Sequence, residues 1–269
     1  MKKKKQSQLK EALQYLKLSK KPIFFIALLF LFTILIGYSY AFSLSGLLTP
    51  FLKELVDKTE NLNPLELILF IFQNNATTSF LAVASGIFLG IFPLIITITN
   101  GIILGYVIER TTQLASFTEL WRLFPHGIFE LPAVFISLGL GIKLGYEAPL
   151  NYFKYYWKNN RKLVWLPFLI TIPIIAFIIS ALASGLFNDS RFNQSPLIPL
   201  SAIIICAFYF ALVVLIFILF TAVTNKKLGK IQLKAIKHSI SGTLRVFFFI
   251  VIPLLIIAAI IEGLLISIM

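Results

Sequence analysis

Charged side chains are scarce in this sequence. They make up 13% of the 269 residues, whereas hydrophobic residues make up 58%, and the mean hydropathy is +0.91. No ordinary soluble domain of this length has that balance. The apolar residues come in long blocks, and blocks of about 18 or more indicate membrane-spanning helices. The short alternating segments of a β-barrel are lacking. The sequence therefore predicts an all-α, polytopic transmembrane helical bundle.

Cysteine and histidine are nearly absent as well. The single cysteine, Cys206, lies in an apolar block and can form no intrachain disulfide bond. The two histidines are His126 and His238, and zinc sites usually need more imidazole or thiolate ligands. No Ser–His–Asp arrangement or Gly-x-Ser-x-Gly element is present. We therefore expect no cofactor, no metal and no enzymatic activity.

Acidic residues are also few, which leaves a net charge of +13. The lysines and arginines are concentrated in a few segments between apolar blocks, which is typical of orientation signals. If the N-terminus is cytoplasmic, nineteen of the 24 lysines and arginines lie on the inner side. An odd number of spans, seven, then places the C-terminus outside. This clustering favours binding to anionic lipid headgroups over binding to nucleic acid.

The N-terminal segment 1–21 is predicted to be a cytoplasmic, basic amphipathic segment rather than a cleavable signal peptide, with a short helix at 6–21. Leu9, Leu13 and Leu16 share one face, and lysines occupy much of the rest. Such a helix is expected to lie on anionic headgroups. A second basic helix is predicted at 225–245, with a membrane-surface stripe of lysines at Lys227, Lys230, Lys234 and Lys237.

About seven spans are predicted in a single transmembrane domain, 22–269. Its core comprises 22–146 and 246–268, with additional spans in 164–223. The predicted spans are 22–44, 75–91, 93–109, 124–144, 165–186, 199–223 and 246–268.

The connecting segments also carry predictions. The segment 46–64 reads as a polar loop, followed by a short amphipathic helix at 65–72. Residues 146–162 form an aromatic and basic connector. Within it, Tyr152, Tyr155, Tyr156 and Trp157 suggest an interfacial belt. The stretch 75–109 leaves two alternatives open. One is a hairpin of two spans, with Gly90 and Pro93 at the turn. The other is one span ending near Asn100 plus a half-helix.

An unusual set of polar residues falls in the outer half of this predicted topology. His126 and Glu130 are four residues apart and share one helical face. Ionisable groups inside a span are costly and usually face a cavity or a partner. We therefore predict an outward-facing polar pocket whose candidate binding residues are His126, Glu130, Glu262, Asn74, Asn75, Asn100 and Glu109.

Several of these residues lie in segments that resemble the stage II sporulation protein M family. The most specific element is Pro125-His126-Gly127-Ile128-Phe129-Glu130-Leu131-Pro132-Ala133. Weaker matches are Asn74-Asn75, Asn100-Gly101 with Gly105, and Ile260-Ile261-Glu262-Gly263. The resemblance covers roughly 20–146 and 246–268. It implies an integral membrane protein; the namesake is a membrane component of the engulfment machinery associated with enzymes that cut peptidoglycan. Relatives also occur in organisms that neither sporulate nor carry murein, so the resemblance implies a shared membrane core.

The favoured function is a non-enzymatic, multi-pass cell-membrane protein that organises or recruits membrane-protein partners. The first alternative is a transporter or channel-like protein that moves an ion, proton or small solute through the polar pocket. It requires a wetted cavity reaching past Glu130 and Glu262 to Asn100. The second alternative is an intramembrane hydrolase. Glycine-rich faces on spans two to four further suggest a homo-oligomer.

Overall fold

The fold is known from a computed structural model, which describes residues 2–59, 62–114, 124–159 and 225–268 and the isolated positions 212, 214 and 216. Within these ranges all the regular structure is helical. We number the described helices in chain order: α1 Lys2–Leu18, α2 Lys20–Ser39, α3 Ala41–Thr59, α4 Pro64–Ala84, α5 Ile91–Leu114, α6 Phe124–Asn159, α7 Lys226–Val246 and α8 Ile252–Ile268.

Five stretches of the described chain are long and apolar enough to cross a membrane. They are Lys20–Ser39, Pro64–Ile87, Ile91–Gln113, Gly127–Asn159 and Lys226–Leu265. They correspond to five of the seven predicted spans. The other two, 165–186 and 199–223, lie outside the described residues.

The predicted polar loop at 46–64 is wrong for most of its length, because the helix α3 occupies Ala41–Thr59. The predicted first span also ends too late. Helix α2 stops at Ser39, and Tyr40 (φ −107°, ψ 18°) breaks the helical path before α3 begins. Helix α3 buries Ala41 and Leu48 against Tyr106 of α5. This apolar contact stabilises α3. The mixed charge of 53–58 had led to the prediction of a loop.

Helix α4 begins earlier than the predicted second span, and the separate helix expected at 65–72 is its first part. Its start is set by a capping box, in which the Asn63 side chain accepts a hydrogen bond from the Glu66 amide at 3.0 Å. The Glu66 carboxylate accepts one from the Asn63 amide at 3.0 Å. Pro64 occupies the first turn, where the missing N–H costs nothing.

The hairpin prediction for 75–109 is confirmed. A 3-10 turn at Ser85–Ile87 ends α4, and both Leu89 (φ 57°) and Gly90 (φ 74°) have left-handed backbone conformations before α5 begins. Glycine adopts this conformation without steric cost. Helix α5 then continues through Asn100 to Leu114, so the half-helix alternative is wrong.

Helix α6 continues without interruption through the predicted connector to Asn159. The prediction of an interfacial belt is also wrong for two of its tyrosines. Tyr152 and Tyr156 are buried and pack in a cluster with Leu228 of α7 and Val214. Trp157 of the predicted belt is exposed.

The predicted basic helix at 225–245 is confirmed as α7. A π-helical turn at Phe247–Val251 joins it to α8, and the amide of Ile252 bonds to the carbonyl of Phe247, five residues back. Pro253 follows immediately in the first turn of α8. A proline has no N–H and clashes with the carbonyl four residues before it, and a widened turn relieves that clash.

The chain divides into two compact units. The first comprises Met1–Gly86, Phe92–Lys143 and Ile240–Met269; the second comprises Ile87–Ile91 and Leu144–Ser239. In the first unit, one buried cluster joins α1, α4, α6 and α8 through Ala12, Val83, Ala133 and Leu255 among others. A second cluster joins α2, α4 and α6 through Ile26, Ala82 and Leu138.

Glycines allow the helices of the first unit to approach closely. A Cβ atom at Gly37 of α2 would collide with the Ile102 carbonyl of α5, and one at Gly105 with the Ile34 carbonyl of α2. Gly141 of α6 meets the Ala82 carbonyl of α4 in the same way. These glycine faces are thus used inside the chain, and the predicted homo-oligomer has to rest on other surfaces.

Candidate functional site

The acidic residue of the last span, Glu262, lies where α8 packs along α4. Its neighbour Gly263 is buried, and a Cβ atom there would collide with the side chain of Ile68. Glu262 itself is half-buried. Glu262 is therefore level with the first turns of α4 and adjacent in sequence to a helix–helix contact.

Glu130 is half-buried in the first part of α6. It precedes Ala133 by about one turn, and Glu262 follows Leu255 by about two turns; Ala133 and Leu255 belong to the same buried cluster. The two acids thus occupy helices that share a core. Their convergence stays a prediction. His126 lies in the first turn of α6, but its side chain is outside the described part of the structure.

The asparagines of the predicted pocket occupy different environments. Asn74 is exposed and Asn75 half-buried in the middle of α4, about two turns beyond Ile68, the residue that faces Gly263. Asn100 is exposed on α5, and its amide nitrogen donates a hydrogen bond to the Ile96 carbonyl at 2.8 Å. The amide of Asn100 is thus satisfied by its own helix at the protein surface.

Glu109 belongs to a polar contact at the end of α5. Its Oε2 atom lies 3.5 Å from the Nε atom of Arg110, and the Arg110 guanidinium lies over the Tyr106 ring at 5.3 Å from its centroid. The Tyr106 hydroxyl is hydrogen-bonded to Thr49 Oγ1 of α3 at 2.7 Å. This arrangement ties α3 to α5 and favours a structural role for Glu109. Its membership of the pocket stays a prediction.

Within the described ranges, no three His, Cys, Asp or Glu side chains are grouped so that they could hold a metal ion.

The sequence reasoning missed a buried polar group in the middle of α6. Lys143, counted only as an orientation charge, is 7% exposed. Its Nζ atom donates a hydrogen bond to Ser19 Oγ at 3.1 Å and lies 3.7 Å from the centroid of the Tyr15 ring. Ser19 Oγ in turn donates to the Tyr15 carbonyl at 2.8 Å. We call Tyr15, Ser19 and Lys143 the Lys143 cluster.

Two further contacts hold α1 in place. Gly242 of α7 packs against the Tyr15 ring so closely that a Cβ atom would collide with it. Glu11 Oε2 lies 3.1 Å from the Arg245 guanidinium. The only signal of these contacts in the sequence was a lone acidic residue, Glu11, in a lysine-rich helix, and that residue did not reveal its partner.

The four lysines of the predicted membrane-surface stripe, Lys227, Lys230, Lys234 and Lys237, are all exposed on α7. The opposite face of the helix is buried and includes Leu228 and Gln232. Leu233, by contrast, is 70% exposed beside the lysines. Binding of this stripe to headgroups stays a prediction.

The comparisons with known proteins point to one family. The family model described as stage II sporulation protein M matches residues 26–187, more than half of the 269-residue chain. The chain is also similar to an uncharacterized protein of Methanocaldococcus jannaschii, with 28% identity over 66% of this chain and 86% of that protein. No solved structure matches the chain.

Proposed function

The chain belongs to the stage II sporulation protein M family, and on that premise we propose that it organises or recruits partner proteins in the cell membrane without catalysing a reaction. We place about seven spans in the bilayer, with the N-terminus in the cytoplasm and the C-terminus outside. The distribution of the 24 lysines and arginines supports this orientation.

The observation that carries the proposal is the glycine-mediated packing of the first unit. Gly37 and Gly105 bring the backbones of α2 and α5 into direct contact, and Gly141 does the same for α6 and α4. Closely packed small residues stabilise helix association in a bilayer. Transport by alternating access requires interfaces that rock or separate, so such tight contacts favour a fixed scaffold.

The buried hydroxyl groups of the spans support the same proposal. Thr33, Thr97 and Ser137 are buried, and each donates to a carbonyl of its own helix at 2.7–2.9 Å. Among the described residues Ser79 and Thr243 are exceptions, because neither hydroxyl has a hydrogen-bond partner. Hydroxyls satisfied in this way do not line a conduit. The Asn100 amide is likewise hydrogen-bonded to a carbonyl of its own helix.

The outward-facing pocket remains part of the proposal as a contact point for a partner. Glu130 and Glu262 are both half-buried, and half-buried acids at helix–helix contacts suit hydrogen bonding to a partner segment or to each other.

Photo-cross-linking in the native membrane tests this function. A photoreactive residue replaces Phe42 of α3, which is 87% exposed, or Leu233 of α7. We expect a discrete protein adduct from at least one position, and we expect it to persist in Glu130→Gln and Glu262→Gln variants. Phe24, 65% exposed on the span α2, serves as the control position and should capture lipid.

The opposite result would be the absence of an adduct at both positions together with ion or proton flux by the protein reconstituted in liposomes. If Glu130→Gln abolished that flux, the transporter reading would replace the scaffold.

A further inference from the structure

Helix α1 has two surfaces with different roles. The surface formed by Ala12 and Tyr15, together with Ser19 just after the helix, is buried against other helices of the first unit. The remaining surface is exposed and carries Leu9 (42% exposed), Leu13 (46% exposed), Lys10 and Lys17. Leu16, which the sequence grouped with the other two leucines, packs against the core cluster instead. An apolar ridge is thus left uncovered beside lysines.

The exposed surface of α1 has a fixed orientation. The Lys143 cluster fixes the C-terminal end of α1, because the Lys143 amine is bonded to Ser19 and lies over the Tyr15 ring. Gly242 lies against the same ring. A binding surface that is held in place in advance loses less conformational entropy when it binds.

The exposed surface of α1 is also predominantly cationic. Glu11 is the sole acidic residue in 1–21, and Arg245 pairs with it at 3.1 Å. Glu11 is exposed, but the positive charge of Arg245 offsets its negative charge. Lys20 and Lys21, exposed at the start of α2, extend the positive charge toward the first span.

We propose that Leu9, Leu13, Lys10 and Lys17 of α1 form a preorganised binding surface for anionic phospholipid headgroups of the adjacent leaflet, which is the cytoplasmic leaflet in the proposed orientation. Successive residues of a helix are about 100° apart, so the leucines form a ridge one turn apart and the lysines lie beside it. Leucines that enter the acyl boundary and lysines that reach phosphates are the two components of interfacial binding.

Charge complementarity and attachment favour lipid over an acidic protein. A single residue, Ser19, separates α1 from the membrane span α2. The lysines of α1 are therefore held close to the headgroup surface. The attraction of an anionic surface for basic residues acts over about one Debye length, about 8 Å. The inference does not depend on partner recruitment, because it concerns another surface.

The full-length protein in lipid nanodiscs tests the proposal. Hydrogen exchange of residues 7–18 is compared between phosphatidylcholine discs and discs that also contain phosphatidylglycerol. We expect slower exchange with phosphatidylglycerol, and we expect native mass spectrometry to show retained phosphatidylglycerol. In Lys10→Gln/Lys17→Gln, the preference for phosphatidylglycerol should fall about thirtyfold.

The matched control is Lys53→Gln/Lys58→Gln, which removes the same charge from two exposed lysines of α3 and should leave the preference unchanged. Lys143→Met should weaken phosphatidylglycerol retention while Lys10 and Lys17 remain, because it releases the orientation of α1. Exchange in 7–18 that is independent of lipid charge would overturn the proposal. So would an equal loss in the α3 control, or protection that appears only with an added acidic protein.

Discussion

The Nζ atom of Lys143 lies 3.7 Å from the centroid of the Tyr15 ring, and the same nitrogen donates to Ser19 at 3.1 Å. The two residues are far apart in the sequence, on α6 and α1. A desolvated ammonium over an aromatic face is a strong form of the cation–π interaction. This contact fixes the N-terminal helix to the first unit, and it makes the cluster the most informative place to measure coupling.

A double-mutant cycle with Lys143→Met and Tyr15→Leu should give a coupling free energy of about 2 kcal/mol. The single variant Lys143→Met has two opposed effects, because it removes a charged hydrogen bond but also relieves the burial of a charge. The coupling free energy isolates the contact between the Lys143 amine and the Tyr15 ring from both of these effects. The measurement is unfolding of the purified protein in detergent, followed by circular dichroism.

Lys154 of α6, which is exposed, provides the control for this cycle. Lys154→Met combined with Tyr15→Leu should be additive within error. A coupling near zero in the Lys143 cycle would show that the ring and the amine do not stabilise each other.

Gly37→Ala should destabilise the protein by roughly 1–3 kcal/mol, because the added Cβ atom collides with the Ile102 backbone and the helices must separate. The matched variant is Gly46→Ala on α3, where a Cβ atom meets nothing within 4 Å. That change should raise stability by up to about 1 kcal/mol through helix propensity. Thermal unfolding of the two variants checks the prediction, and equal shifts would refute it.

Asn63→Ala should cost about 1 kcal/mol, since it removes the cap from the first turn of α4. The local result is faster hydrogen exchange at the amides of Leu65, Glu66 and Leu67. Gln73→Ala, at an exposed position within the same helix, is the control and should leave those amides unchanged. If Asn63→Ala left exchange at the start of α4 unaltered, the capping box would not be what sets this helix end.

Glu54 provides a prediction about pH. A hydrogen bond from Lys58, together with its charge, holds the pKa of the Glu54 carboxyl below its ordinary value of 4.5. Because the pKa is lower in the folded state, the small stabilising effect is present above the unfolded pKa and is lost as the pH falls through the folded pKa. Lys58→Gln should raise the pKa of Glu54 toward 4.5 in a carboxyl NMR titration. Lys53→Gln should raise it less, and equal rises would contradict the hydrogen bond.

How much of the structure could be predicted from the sequence differs from element to element. The turn of the α4–α5 hairpin was predicted because Gly90 and Pro93 leave a local signal, and the basic helix α7 was predicted from its spacing of lysines. Helix α3 was missed because its charged residues indicated a loop, whereas Leu48 and Tyr106 make it a packed helix. Glu130 and Glu262 were identified as unusual from the sequence alone, since acidic residues are costly within apolar blocks.

The sequence by itself determined that this is a helical membrane protein, where the turn between α4 and α5 lies, and which family it resembles. Those properties depend on local composition and periodicity, and each can be read from a short window of residues. Tertiary structure alone decided that Lys143 is buried against Tyr15, that Glu11 pairs with Arg245, and that the glycines face neighbouring helices within the chain. Such contacts join residues far apart in the chain, and their energy depends on helix positions that no local pattern encodes.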